Sequence, residues 1–307
     1  MNQAFAQISD PHLSSLQGAR GRDLLNKRAL GYLSWRRKRR FEHRPEVLDA
    51  LQRDLHHFSL DQLLITGDLT HIGLPQEFQQ ARAWLQQLGE PDQVALVPGN
   101  HDTCVAADWD QTFALWQDYM TSDDKPAAGA GHSGIYPSLR VRGDIAFIGL
   151  STGCPKPPLM ATGTAGAEQL GRLPAILQSA AARNLFRVVY LHHCPLPGQE
   201  KWRKRLTDAP AVQAVLAEHG AELIVHGHGH RAHYNELVTR HGIAPVIAVP
   251  SASAMGLHGA DIARYNCYQV NRNEGGWRLE IMPRCYQPET GEFTAGDNKI
   301  VELLRRP

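Results

Sequence analysis

Five short polar clusters, in order along the chain, carry residues that bind divalent metals. They are Asp10-Pro11-His12, Gly67-Asp68, Gly99-Asn100-His101-Asp102, His192-His193 and Gly227-His228-Gly229-His230, with Thr70 and His71 trailing the second. Their Asp, Asn and His side chains are hard or borderline ligands, suited to Mn, Fe or Zn and unlike a soft thiolate site. Two residues apart, Asp10 and His12 can point the same way along an extended chain. Each piece is weak alone: Asp10 reads equally as a helix cap, His192 as a core histidine, and 227–230 as a plain glycine turn. The weight lies in the ordered set.

Most clusters follow a short apolar run. The runs at 4–9, 63–66, 94–97, 145–150, 188–191 and 223–225 are rich in Val, Ile and Leu and read as buried strands. Runs at 246–249, 266–270 and 277–282 make a later set. As strands, the first set delivers the clusters to one sheet edge, where open α/β sheets hold their sites. Helical patterns lie between. Val47, Leu48, Leu51, Leu55 and Phe58 form one apolar face after Pro45, and Phe78, Ala81, Leu85 and Leu88 another after Pro75. Leu170, Leu173, Ile176 and Leu177 make a weaker face because Pro174 interrupts. Val212, Val215 and Leu216 follow Asp208 as an N-cap. The alternation predicts an α/β fold. Stretches 122–134 and 154–166 read as surface loops.

The 307 residues suffice for a large core, and the expected organisation is a single domain, 1–307, with a basic and aromatic insert at about 20–44. Net charge is +1, so no global field points to nucleic acid or membrane. No run of eighteen apolar residues predicts a transmembrane helix. The first residues lack a signal-peptide pattern, and five cysteines without paired spacing predict reduced thiols in a cytoplasmic protein. Local charge is concentrated. Trp35 leads into Arg36-Arg37-Lys38-Arg39-Arg40, and Trp202-Arg203-Lys204-Arg205 follows the His192 cluster. Arg36, Arg37, Arg203 and Arg205 are therefore candidate substrate contacts. The two clusters read as a clamp on a polyanionic substrate, as a peripheral contact with an anionic inner-membrane surface, or as a solvated face.

The ordered set D-x-H, G-D, G-N-H-[DE], a His after a strand and G-H-x-H, between Ile8 and His230, resembles the calcineurin-like metallophosphoesterase superfamily. The resemblance implies a four-layer α-β-β-α sandwich of two mixed sheets flanked by helices. It implies two divalent transition metals, Mn favoured over Fe or Zn, with Asp68 as the bridge. Asp10, His12 and His230 would serve the first metal, and Asn100, His192 and His228 the second. A hydroxide held between the metals would attack phosphorus in line. His101 would protonate the leaving group and Asp102 would hold its ring. His193 is left to orient a neighbour or to face substrate. Many family members continue this motif with His-Pro-Pro; here Cys194 replaces a proline, as a stray thiolate ligand or a buried small hydrophobe. His226 has no assignment, and His71, His132, His233, His241 and His258 are expected to be ordinary loop or surface histidines.

The expected activity is phosphodiester hydrolysis on small substrates, cyclic nucleotides included. One alternative is a lipid-nucleotide pyrophosphate hydrolase of the UDP-2,3-diacylglucosamine type at the membrane surface. Another is a metal-binding scaffold without catalysis, against which the complete ligand set and His101 argue. A repair-type nuclease lacks the appended domain it would need. Expected partners are thus a small or lipid-linked phosphate ester, with no obligatory protein partner and no nucleic acid.

Overall fold

Strands form where apolar runs can be buried on both faces. In this computed structural model, which describes residues 3–13, 15–16, 19–124 and 134–304, the strands are β1 (Gln3–Ile8), β2 (Gln62–Ile65), β3 (Val94–Leu96), β4 (Ser138–Arg142), β5 (Ile145–Leu150), β6 (Phe186–Leu191), β7 (Leu223–His226), β8 (His233–Thr239), β9 (Gly242–Ala248), β10 (Arg264–Asn273), β11 (Gly276–Gln287), β12 (Glu292–Ala295) and β13 (Lys299–Leu304). Most of the loop at 122–134, His132 with it, lies outside the described residues, as do Met1 and Asn2.

One sheet runs β12-β11-β10-β1-β2-β3, with β13 also on β11; the other runs β4-β5-β6-β7-β9-β8. Both are mixed. β1, β2 and β3 are parallel neighbours, with β10 antiparallel to β1. β5, β6, β7 and β9 are parallel, flanked by antiparallel β4 and β8. The helices are α1 (Arg28–Ser34), α2 (Arg40–Glu42), α3 (Pro45–Leu55), α4 (Pro75–Leu88), α5 (Gln117–Met120), α6 (Ala167–Ala182) and α7 (Ala209–His219), with a π-helical turn, Trp35–Arg39, joining α1 to α2.

Side-chain alternation builds the layers. Phe186, Val188 and Tyr190 of β6 join one core with Phe5 of β1 and with Val47 and Phe78 of α3 and α4. Val189 and Leu191 face the other way, into a second core with Leu173 and Leu177 of α6 and Val212 and Leu216 of α7. Phe5 meets Phe147 edge-on at 5.1 Å, which places the two sheets face to face. The result is the four-layer sandwich. No helix among the described residues is long and apolar enough to cross a membrane.

Two helix expectations change. α6 runs unbroken through Pro174, because Leu173 and Leu177, on both sides of it, are fully buried. Asp208 starts α7, but its carboxylate accepts the N–H groups of Ala165 and Gly166 and so fixes the entry to α6.

The insert is helical and lies against the loops that carry the clusters. Trp35 is buried with Leu16, Ile72 and Leu74. Gly31 sits so close to Ile72 that a Cβ there would lie 2.5 Å from its Cγ2. At the far end, His43 pairs with Ala254, and the Met255 N–H donates to the Glu42 carbonyl at 2.9 Å. The insert thus spans from the loop after β2 to the loop after β9.

Candidate metal centre

The clusters follow β1, β2, β3, β6 and β7, and their loops are laced together. Asp10 N–H donates to the Gly67 carbonyl at 2.9 Å, and Gly227 N–H to the His192 carbonyl at 3.0 Å. Asp10, His12, Asp68, His228 and His230 all have positive φ, between 44° and 68°. Non-glycine residues held there carry strain that the surrounding structure must offset, and such strain concentrates at functional sites. The motif glycines are needed for close approach. A Cβ at Gly99 would overlap the Asp68 carboxylate, and one at Gly227 would overlap the Ser9 hydroxyl.

The donors form two nests that share Asp68. Ligand atoms of Asp10, His12 and His230 lie within 4.8 Å of one another. His230 Nε2 is 3.2 Å from Asp10 Oδ1, and His12 Nε2 is 4.0 Å from Asp68 Oδ2. In the second nest, His192 Nε2 faces Asn100 Oδ1 at 3.2 Å, His228 Nδ1 at 3.2 Å and Asp68 Oδ2 at 3.4 Å. One ring N–H cannot satisfy three such neighbours. His12 Nε2 and His228 Nε2 are buried with no hydrogen-bond partner. The opposite ring nitrogens are committed: His12 Nδ1 donates to the Thr70 carbonyl at 2.9 Å and His192 Nδ1 to the Thr66 carbonyl at 2.7 Å. That bond fixes the tautomer and leaves Nε2 as a lone-pair donor, as metal-binding histidines require. Buried lone pairs in this number fit divalent cations.

Electrostatics set His192 apart from the other ligand histidines, since its ring must lose a proton before Nε2 can bind a cation. Burial opposes ionisation of Asp68, yet His192 and His101 hold it well below the usual carboxylate range. Burial likewise opposes Asp10, and His230 with His192 keeps it low. Burial disfavours charge on His192 too, but Asp68 outweighs it and the ring is pushed up to about 9. Burial, then neighbouring histidines, hold His12 and His228 well below the histidine range.

Several residues stand where the sequence did not put them. Asp102 does not touch the His101 ring. Its carboxylate accepts N–H groups of Asp68, Gly99 and Thr70 and the Thr70 hydroxyl, at 2.9–3.0 Å, and so ties the loops after β2 and β3 together. The His101 ring is held instead by the His71 carbonyl, 2.5 Å from Nδ1, and by Arg39, whose Nη1 lies 2.8 Å from Nε2. The same Nη1 is 3.0 Å from Nδ1, so the guanidinium lies against the ring rather than on one nitrogen. Burial and then Arg39 push His101 down to about 3.

His71 is no surface residue: it is buried and stacks on His12 at 5.1 Å. Its loop is fixed by buried Glu77, which accepts the N–H groups of His71, Ile72 and Leu74. His193 does not face a cavity. It is fully buried against His228 and bonds Thr152 Oγ1 at 2.8 Å, and one of its ring nitrogens lies within 4.8 Å of ligand atoms of His192 and His228. Cys194 is a buried thiol, which burial pushes up to about 11, and it joins none of the donor groups.

A pocket of about 400 Å³ opens over both nests, lined by Asp68, Asn100, His101, His228 and His230 and walled by the insert. The cations on its wall are Lys38, Arg39 and Lys204. Arg36, Arg37, Arg203 and Arg205 are exposed and do not line it, so they are not pocket residues. The helical insert turns Arg39 inward, sets the exposed Lys38 at the pocket's edge and leaves Arg36 and Arg37 facing solvent. Sequence reasoning also missed His43, which lines the pocket 4.4 Å from His12 and bonds Ser253 Oγ at 2.9 Å. No motif marks it; only its place just before the Pro45 helix start sets it apart.

The chain belongs to the calcineurin-like phosphoesterase family, which matches residues 4–232. It is thus a phosphoesterase by family, and that family uses a dinuclear divalent metal centre. Among relatives, it is 28% identical over 236 residues to a probable cyclic nucleotide phosphodiesterase of Synechococcus sp., covering 76% of this chain and 80% of that one. Among solved structures, a dimetal phosphatase from Danio rerio superposes with a TM-score of 0.53 at 14% identity, covering 95% of this chain and 98% of that one. That likeness is one of fold.

Proposed function

We propose that the protein is a dinuclear-metal phosphodiesterase acting on small phosphodiesters. The observation that carries this is the pocket whose floor is formed by two donor nests sharing Asp68, and whose wall carries His101 and Arg39. Its volume falls in the roughly 300–1,000 Å³ range of small-molecule sites. Asp10, His12 and His230 would hold one metal, Asn100, His192 and His228 the other, with Asp68 between. Bound there, two divalent ions supply Lewis acidity toward phosphate oxygens and lower the pKa of water. Mn is the favoured native metal.

The remaining chemistry belongs to the chain. Arg39, Lys38 and Lys204 place positive charge where non-bridging phosphate oxygens enter. His101 is the proton donor to the leaving oxygen, its ring oriented by the His71 carbonyl. A phosphate oxygen that takes up the Arg39 N–H and brings negative charge beside the ring would let His101 take a proton from solvent and pass it to the leaving oxygen. The name of the Synechococcus relative supports cyclic nucleotides as the first substrates to try.

Purified protein should hold about two transition-metal ions. It should hydrolyse an activated aryl phosphodiester, lose that activity to a chelator and regain it with Mn. Screening aryl diesters, cyclic nucleotides, phosphomonoesters and nucleotide-lipid pyrophosphates side by side tests the substrate class. Full activity after exhaustive metal removal refutes the metal reading. Monoesters turned over faster than every diester refute the phosphodiesterase reading.

A further inference from the structure

Three separate stretches form the mouth of the pocket: 24–41 of the insert, 154–164, and 201–207. They touch one another. Lys27 Nζ donates to the Met160 carbonyl at 3.0 Å, and Ala161 N–H to the Arg203 carbonyl at 2.9 Å. Ser34, Ala161 and Lys204 line the same opening. These stretches contain twelve of the chain's 32 Lys and Arg and none of its 31 Asp and Glu. The rest of the chain is therefore net acidic, and a net charge of +1 conceals a strongly polarised molecule. The acids that flank the 24–41 and 201–207 stretches in sequence are Asp23, Glu200 and Asp208, all half-buried, and Glu42, which is buried and lines the pocket.

The same rim is apolar. Leu25 is 84% exposed, Leu159 71% and Trp202 60%, with Leu30 and Leu33 at 45% each. Large side chains this bare, grouped around one opening, mark an interaction surface rather than scatter. The outward faces of α1 and the π-turn carry Leu30, Leu33, Arg36 and Arg37 together, while Trp35 anchors the segment inward. Basic side chains beside exposed leucines and a tryptophan match an interface of anionic headgroups over acyl chains. A nucleic-acid surface would use the cations and aromatic stacking, and would leave the leucines unexplained.

We propose that this rim docks on an anionic lipid bilayer, with the pocket mouth facing the membrane. Leu25, Leu159 and Trp202 enter the interfacial layer. Arg36, Arg37, Arg40 and Arg203 bind headgroup phosphates, whereas Lys38, Arg39 and Lys204 stay with the pocket. Docking needs no turnover, so it stands or falls apart from the phosphodiesterase reading.

The test is sedimentation of the full chain with vesicles, either phosphatidylcholine alone or with about 30% phosphatidylserine. The protein should bind the anionic vesicles and not the neutral ones, and binding should weaken with salt as exposed charge is screened over about 8–10 Å. Changing Arg36, Arg37, Arg40 and Arg203 together to Gln should lower the partition coefficient by roughly 100-fold or more. Leu25→Ser, Leu159→Ser and Trp202→Ser combined should also lower it, at unchanged net charge. Both variants should hydrolyse a soluble aryl diester at the wild-type rate, which shows that they are folded. Equal binding to neutral and anionic vesicles, or undiminished binding by either variant, overturns the proposal. So does binding of duplex DNA, unaffected by the Leu and Trp changes, without binding of vesicles.

Discussion

Asp102 offers the strictest test of how the site is held. Four donors converge on its carboxylate: Asp68 N and Gly99 N on Oδ2, Thr70 N and Thr70 Oγ1 on Oδ1. The group is 1% exposed, so no bulk water replaces a lost acceptor. Asp102→Ala strands three backbone N–H groups. Bonds to a charged acceptor contribute roughly 1.5–3 kcal/mol each, which sums to at least about 4 kcal/mol. Burial, then the Asp68 charge, push Asp102 up to about 7, so removing the charge offsets part of that loss. The expected net cost is about 3–4 kcal/mol. Asp102→Asn is milder for a specific reason. With its oxygen toward Asp68 and Gly99, its NH₂ meets the Thr70 N–H, and one backbone bond is lost. The Thr70 hydroxyl can turn and accept, so the cost should be about 1–2 kcal/mol. Urea unfolding with chelator present should rank wild type, then Asn, then Ala, at constant slope. Thr70→Val should cost more in the Asn background than in wild type, because the hydroxyl is then the acceptor. Asn as damaging as Ala, or Ala within about 1 kcal/mol of wild type, would refute this account of the carboxylate. There is a kinetic arm as well. Asp102 bonds no atom of the His101 ring, so Asp102→Asn should leave the leaving-group dependence of turnover unchanged. A steeper dependence would restore it as the ring's support.

Asp68→Ala should release both metals and be the most damaging ligand change, while Asn100→Ala should release chiefly one; elemental analysis after gel filtration distinguishes them, and two tightly held ions in Asp68→Ala would remove the bridge assignment. His101→Ala should keep its metals yet slow turnover by roughly 10²–10⁴ if it donates the proton. That loss should shrink for a nitrophenyl leaving group, which needs no proton, and an equal loss for good and poor leaving groups would make His101 a positioning residue. Gly31→Val should push the insert off Ile72 and draw Lys38 and Arg39 from the pocket. It should lower kcat/KM with metal content unchanged, and wild-type kinetics in this variant would show that the insert's seat does not govern the pocket.

What the sequence discloses here, and what it conceals, divides along physical lines. Strands buried on both faces, β1, β2, β3, β5, β6 and β7, read as apolar runs because both side-chain rows must leave water. The strands not anticipated, β4, β8, β12 and β13, lie at or near sheet margins. β8 reads exposed or half-exposed over most of its length, and its seven residues carry no apolar run. Their pairing is paid by a neighbour's backbone rather than by burial, so no hydropathy pattern records it. The site divides the same way. Asp10, His12, Asp68, Asn100, His192, His228 and His230 are brought together as their order implied, because each sits within four residues of a strand end. The partners that tune them are invisible in one dimension. Asp102 and His101 are adjacent in sequence, yet the first accepts backbone N–H groups of Asp68, Thr70 and Gly99 while the ring of the second meets the His71 carbonyl and Arg39. Arg39, the last residue of the π-turn that begins at Trp35, reaches His101 across 62 positions. A run of five basic residues has one composition, but a helix gives it two faces. Arg39 and Lys38 are spent on the pocket, and Arg36 and Arg37 on whatever lies outside it. The seat of the insert at Gly31 and Trp35, and not the metal motifs, sets which of its cations line the pocket.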